Sequence, residues 1–132
     1  MSPVFVDTSG FYAFLDREDP FHLQAKDSFL RAREEQRALF TSSYVVHESW
    51  ALIQARLGWE AVEDWFSTLL PMCEVVWVDE ALHRLGAARA RQVKERRLSL
   101  TDCVSFELMS SRGCKQAIAD DQHFKKIGYN LP

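Results

Sequence analysis

Cysteine is scarce in this chain of 132 residues: Cys73, Cys103 and Cys114 are all there is, with no CxxC pair among them. An odd set at that spacing excludes a disulfide framework, and four scattered histidines add no zinc-ligand pattern. Glycine (5) and proline (4) are few and never clustered, and no repeat or low-complexity tract interrupts the chain. One domain spanning 1–132 is therefore expected. No apolar run approaches the roughly 18–20 residues needed to span a bilayer. The opening Met1-Ser2-Pro3-Val4-Phe5-Val6-Asp7 lacks the basic and long apolar regions of a secretion signal. Reduced thiols, a cytoplasmic location and no membrane partner are the expectation.

What is present is an ordinary globular balance, 47% hydrophobic and 27% charged. The formal net charge of −3 conceals an asymmetry, since residues 1–80 carry 6 Lys/Arg against 14 Asp/Glu and residues 81–132 carry 10 against 5. A uniformly basic nucleic-acid binder is excluded, whereas a local basic surface is not. Four short β-rich apolar runs stand out, at Pro3 to Asp7, Ala38 to Thr41, Glu74 to Val78 and Gln116 to Ala119. Helical periodicity fills the segments between them. Phe21, Ala25, Ser28, Phe29 and Ala32 form one apolar stripe, with Asp19 placed as N-cap and Pro20 as the first helical residue. Gly58 is expected to divide Ser43 to Leu70 into two helices. Strands separated by helices imply parallel pairing, hence an α/β fold built as a three-layer α/β/α sandwich with a mostly parallel sheet.

Most acidic residues fit a solvated surface, but a few sit where a site would form. Asp7 ends the first strand, and Asp120 and Asp121 end the last, at the carboxyl edge where open parallel sheets place their sites. Helix capping is the competing reading for each. On a helix starting near Ser43, Val45, Glu48, Leu52 and Ala55 share one face, which aims Glu48 inward or along the rim. Asp102 shares a face with Phe106 and Met109, although Ser99-x-x-Asp102 also reads as a capping box. Two unit charges about 4 Å apart repel by about 4 kcal/mol at an effective dielectric near 20. Converging acids therefore need a cation, and an all-oxygen set favours Mg²⁺ or Mn²⁺. Divalent ions held by carboxylates cut phosphodiesters by activating water and neutralising the leaving oxygen.

In order and spacing, these pieces resemble the PIN-domain ribonucleases, most closely the VapC-type toxins of bacterial toxin–antitoxin pairs. The resemblance rests on Val4-Phe5-Val6-Asp7-Thr8-Ser9, Asp19-Pro20-Phe21-His22 with Ala25, and Thr41-Ser42-Ser43 before Val46-His47-Glu48. It continues through Ser99-Leu100-Thr101-Asp102 and Ala119-Asp120-Asp121-Gln122-His123-Phe124, so it runs the length of the chain. It implies a PIN-like fold and an endoribonuclease whose metal is held by Asp7, Glu48, Asp102 and Asp121. It also implies that Thr8 supplies a hydroxyl beside that metal, and that the protein forms a homodimer silenced by a small antitoxin. Ala119 departs from the pattern, standing where the family often has Thr or Ser. The doublet leaves Asp120 as a second ligand or a water contact, with Asp121 ranked first by its distance from Phe124.

Arg84 to Arg97 is a basic stretch that reads either as a solvated face or as a track for a phosphate backbone. Within it Arg89 aligns with Leu82, Gly86 and Val93, placed to pair with a cluster carboxylate or to contact RNA near the cut. The histidines fit structural or surface roles, and Trp50, Trp59, Trp65 and Trp77 fit core or interface, with Trp59, Trp65 and Phe66 as an exposed cluster. Competing readings are a housekeeping PIN-like RNA-processing nuclease and a non-catalytic Mg²⁺- or RNA-binding module. A response-regulator receiver and a DxD phosphatase both want a second acid after the first strand, which Asp7-Thr8-Ser9 lacks.

Overall fold

The computed structural model describes residues 2–120 and residue 124. Among these residues four strands, β1 (Val4–Val6), β2 (Leu39–Ser42), β3 (Cys73–Val76) and β4 (Ala117–Ile118), form one sheet in the order β3-β2-β1-β4. Among the described residues every pairing is parallel, with Phe5 opposite Phe40 and Ala117, and Phe40 opposite Glu74. β-Branched and aromatic residues dominate these runs, which suits a pleated surface. Every residue of β1 and β2 is buried. Successive side chains point to opposite faces, so full burial requires helices on both sides of the sheet. The expected three-layer sandwich is what forms.

The helices whose bounds lie among the described residues are α1 (Thr8–Leu15), α2 (His22–Glu34), α3 (Ser43–Leu57), α4 (Trp59–Asp64), α5 (Glu80–Val93) and α6 (Leu100–Ser111). α4 runs on through a π-helical turn, Trp65–Leu69, and a short tight turn, Leu70–Met72, into β3. Gly58 breaks the segment as expected: its φ of +93° lies in a region that L side chains rarely adopt, and it ends α3 and starts α4. The core interleaves Phe5 with Phe40 (centroids 5.3 Å apart) and Phe106 with Phe124 (4.9 Å), and sets Phe11 against Trp65 (5.8 Å). Among the described residues, no helix is long and apolar enough to cross a membrane.

Three local expectations change. α2 begins at His22 rather than at Pro20, because the Asp19 carboxylate accepts from the Phe21 N–H (2.8 Å) and closes a turn before the helix. The buried stripe of α3 is Val45, Ser49 and Ile53, leaving Glu48 and Leu52 on its margin and Ala55 exposed. Trp65 is fully buried, so the exposed aromatic cluster consists of Trp59 and Phe66 packed on the edge of Trp50.

Candidate active site

The chain runs β1, β2, β3 outward in one direction and then returns to place β4 on the other side of β1. The crevice at the carboxyl ends of β1 and β4 is thus the topological switch point of the sheet. Asp7 leaves β1 into that crevice. It caps α1 with one oxygen, Oδ2, which accepts from the Ser9 N–H (3.3 Å) and the Ser9 hydroxyl (2.8 Å). Its other oxygen, Oδ1, is buried and has no hydrogen-bond partner among the described residues. Capping therefore uses only one of the two carboxylate oxygens.

Ser9 ties the crevice together. Its hydroxyl oxygen accepts from the Asp120 N–H (2.9 Å), which holds the end of β4 beside the first turn of α1. Asp120 itself is exposed there. Asp121, expected as the last acid of the quartet, lies outside the described residues, as does His123. The sequence reading passes over Ser9, although an Asp-x-Ser step at a helix start is a visible sign of side-chain capping.

Glu48 and Asp102 arrive on helix starts. Ser42 caps α3 by accepting from the Val45 N–H (3.2 Å), and Thr41 ties β2 to β1 by donating to the Val6 carbonyl (2.7 Å). Glu48 follows in the second turn of α3, half-buried. Asp102 stands in the first turn of α6 within a complete capping box: Ser99 Oγ accepts from its N–H (3.0 Å), and its Oδ2 accepts from the Ser99 N–H (3.1 Å). Both carboxylates act on Asp7. Burial pushes the Asp7 carboxyl up to about 7, Asp102 adds to that rise, the Ser9 hydrogen bonds oppose it, and Glu48 adds a further smaller push.

A buried carboxylate oxygen without a donor, facing the charges of two other acids, is the environment a hard cation relieves. The donors are all oxygen, a chemistry that suits a hard divalent cation and not a thiophilic metal. Among the described residues, no three His, Cys, Asp or Glu side chains converge closely enough to hold a metal ion. Thiol chemistry has no support either, since burial raises Cys73 to about 12 and pushes Cys103 and Cys114 upward as well.

Thr8 is buried between α1 and α3, where its hydroxyl accepts from Ser49 (3.3 Å). Arg89 finds its described partner in Glu107 (3.2 Å), with its guanidinium over the Phe106 ring (5.7 Å to centroid). That pairing joins α5 to α6 instead of reaching a carboxylate of the cluster. Lys94, in a left-handed conformation, ends α5, so Arg96 and Arg97 lie in the connection to α6 and not on a helix.

An open groove of about 580 Å³ includes Glu48 in its lining, with Ser43, Tyr44, His47 and Thr101. It lies where the first turns of α3 and α6 meet.

Comparison with known proteins agrees with this fold. The family described as PIN domain matches residues 4–129. The chain is 29% identical over 129 residues to the 23S rRNA-specific endonuclease VapC20 of Mycobacterium tuberculosis, covering 96% of this chain and 95% of that protein. The crystal structure of that VapC20, described as a sarcin–ricin loop cleaving toxin, superposes with a TM-score of 0.82 over 96% of this chain and 95% of the other. PAE2754 of Pyrobaculum aerophilum shares the fold at 18% identity, with a TM-score of 0.63 over 98% of this chain and 91% of its own.

Proposed function

The chain belongs to the PIN-domain family, and on that premise we propose that it is a metal-dependent endoribonuclease, the toxin of a toxin–antitoxin pair. The observation that carries this reading is the buried Oδ1 of Asp7 at the sheet's switch point, unpartnered among the described residues, its carboxyl pushed upward by burial and then by Asp102 and Glu48. Asp7, Glu48, Asp102 and Asp121 would hold a divalent cation, Mg²⁺ or Mn²⁺, with Asp120 as an additional ligand or water contact. Such a cation supplies Lewis-acid chemistry, activating water and neutralising the charge that develops on the leaving oxygen. The chain's own residues do the rest. Ser9 holds Asp7 and the β4 end in register, the capping box fixes Asp102, and Ser42 fixes the start of the helix that carries Glu48. Thr8 and Arg89 support the site through Ser49 and through the α5–α6 contact.

The similarity to VapC20 points to ribosomal RNA, and to a sarcin–ricin-type loop, as the first substrate to try. An apolar groove of about 250 Å³ between α1, α2 and the turn before β3 would seat a small antitoxin. Phe14, Leu30, Leu69 and Met72 line that groove beside Lys26 and Arg33, a surface for an apolar segment with acidic flanks. We read the chain as one cytoplasmic nuclease domain over 1–132, acting as a homodimer.

The test is cleavage of total tRNA and rRNA, and of a sarcin–ricin loop hairpin, with Mg²⁺, with Mn²⁺ and with EDTA. Wild type should give metal-dependent fragments that disappear in Asp7→Asn. Cleavage surviving both EDTA and the substitution overturns the reading, as does a folded, metal-supplied protein that cuts nothing. Co-purification of a short partner protein that suppresses cutting separates a toxin from a housekeeping nuclease.

A further inference from the structure

The groove beside Glu48 contains an aromatic ring that the acidic chemistry does not use. Tyr44 sits in the first turn of α3, half-buried, with its hydroxyl 2.5 Å from His83 Nδ1 on α5. The His83 ring meets it edge-on, with centroids 5.9 Å apart. Two helices therefore pin the ring in place at the mouth of an open groove, outside the packed core. The next strand continues the row. Val76 of β3 registers with Ser42, and the Val78 N–H donates to Ser43 Oγ (2.9 Å), which sets Trp77 beside Ser43 at the carboxyl edge. Trp77 is 77% exposed, the most exposed aromatic side chain among the described residues.

Along this edge lie Asp7 after β1, Ser43 and Tyr44 after β2, and Trp77 after β3. Adjacent strands are about 4.8 Å apart, so Trp77 stands about two such spacings from the end of β1. That is the reach of one or two nucleotides of an extended strand. Among the described residues, the groove lining contains no Lys or Arg. Charge on the phosphates is therefore not what this wall reads, whereas a ring face binds any unstacked base.

We infer that this groove seats the nucleotide next to the scissile phosphate of a single-stranded or splayed-loop RNA, with Tyr44 as its stacking platform and Trp77 as the platform for the base beyond. The inference rests on the endoribonuclease reading and adds the path the substrate takes. Tyr44 is a positioning residue: it holds the strand in the groove through ground state and transition state alike and moves no proton. His83 acts through Tyr44 by holding the ring.

The probes are a sarcin–ricin loop hairpin and a short single-stranded RNA of mixed sequence, bound to protein carrying Asp7→Asn so that neither is cut. Adding Tyr44→Ala should weaken binding about tenfold, the scale of one lost base–aromatic stack. The loss should be the same at low and high salt, because no phosphate contact is removed. Tyr44→Phe should retain most of the affinity, and Trp77→Ala should show a smaller loss. In the otherwise wild-type enzyme, Tyr44→Ala should raise KM and leave kcat within about twofold, as expected for lost ground-state and transition-state binding alike. Thiouridine-substituted RNA, cross-linked to the unmutated protein, should mark Tyr44 or Trp77, a readout that needs no variant to fold.

Unchanged affinity and KM in folded Tyr44→Ala, or cross-links confined to other faces, overturns the inference while leaving the nuclease intact. A loss in kcat and melting temperature without a change in KM would make Tyr44 structural and overturn it too. If Trp77→Ala instead splits an oligomer, Trp77 belongs to a protein interface and its part of the path falls. Cross-links at Tyr44 in a protein that cleaves nothing would sink the nuclease reading but keep the groove.

Discussion

Asp7 commits one oxygen to a helix cap and keeps the other buried without a donor among the described residues, and this division has a measurable consequence. Its carboxyl rises from an ordinary 3.8 to about 7 on folding. Between those values the folded state binds more protons than the unfolded state, so the metal-free protein loses stability as pH rises and levels off above the upper value. Each tenfold gain in proton affinity on folding corresponds to about 1.4 kcal/mol. Asp7→Asn cannot titrate. In EDTA it should melt higher than wild type at about pH 8 and lack that component of the pH slope. Asp102→Asn keeps an oxygen for the Ser99 cap and removes a charge that raises Asp7, so the slope should end at lower pH. Thermal melts across pH, with and without EDTA, read all three proteins; identical slopes in wild type and Asp7→Asn would refute the account. At this scale the sequence is readable where the cue is local. Asp7 follows a β-rich run, and Ser99-x-x-Asp102 carries its spacing in the open. Ser9 is not readable in the same way, because its second partner is a backbone N–H 111 residues away.

Elements are placed by contacts that no propensity reveals, and two glycines set the tightest of them. A Cβ on Gly10 would overlap the Ile118 carbonyl oxygen, and one on Gly86 would overlap Val104 Cγ2. The first obstacle is backbone, so Gly10→Ala must push α1 off β4 and pull Ser9 away from Asp120. The second is a stiff branched side chain packed close to its own backbone. Gly86→Ala should cost about 1–3 kcal/mol, the usual scale of overpacking. Gly10→Ala should cost more and also weaken metal-dependent cleavage, since it disturbs the turn that orients Asp7. Denaturant melts rank the two, and a Gly10→Ala protein as stable as wild type would sink the argument. Strand positions and the break at Gly58 are legible, because apolar runs and a glycine between helical segments are sequence-local. The inward face of α3 is not. Ser49 is buried because Thr8 satisfies its hydroxyl across the α1–α3 contact, and that pairing has no signature in either segment. For Trp65 the sequence offers both the core and an exposed cluster; it lies in the core beside Phe11, on the face it shares with Val62 and Leu69.

Across the whole molecule, the charge asymmetry sorts into used and unused cations. Arg89 is committed to Glu107 and Arg84 to Glu80, while Arg112 pairs with Glu74 through two hydrogen bonds. Arg91, Lys94, Arg96 and Arg97 stay exposed, with no ion pair among the described residues, at the end of α5 and in the connection to α6. The same connection leads through Ser99 to Asp102, so a strand crossing the acids has these cations along its route. Phosphate contacts release counterions, and on single strands each contributes about −0.7 to the slope of log K against log salt. Replacing Arg91, Arg96 and Arg97 by Gln should flatten that slope by up to about 2 for a short RNA, lowering affinity evenly across sequences. Asp7→Asn should leave the slope of the metal-free protein nearly unchanged, because a buried carboxylate makes no phosphate contact there. A triple variant with the wild-type slope would return this basic stretch to the role of a solvated face. Salt dependence then separates two halves of one surface: cations that gather the strand from any sequence, and the ring of Tyr44 whose contribution salt does not alter.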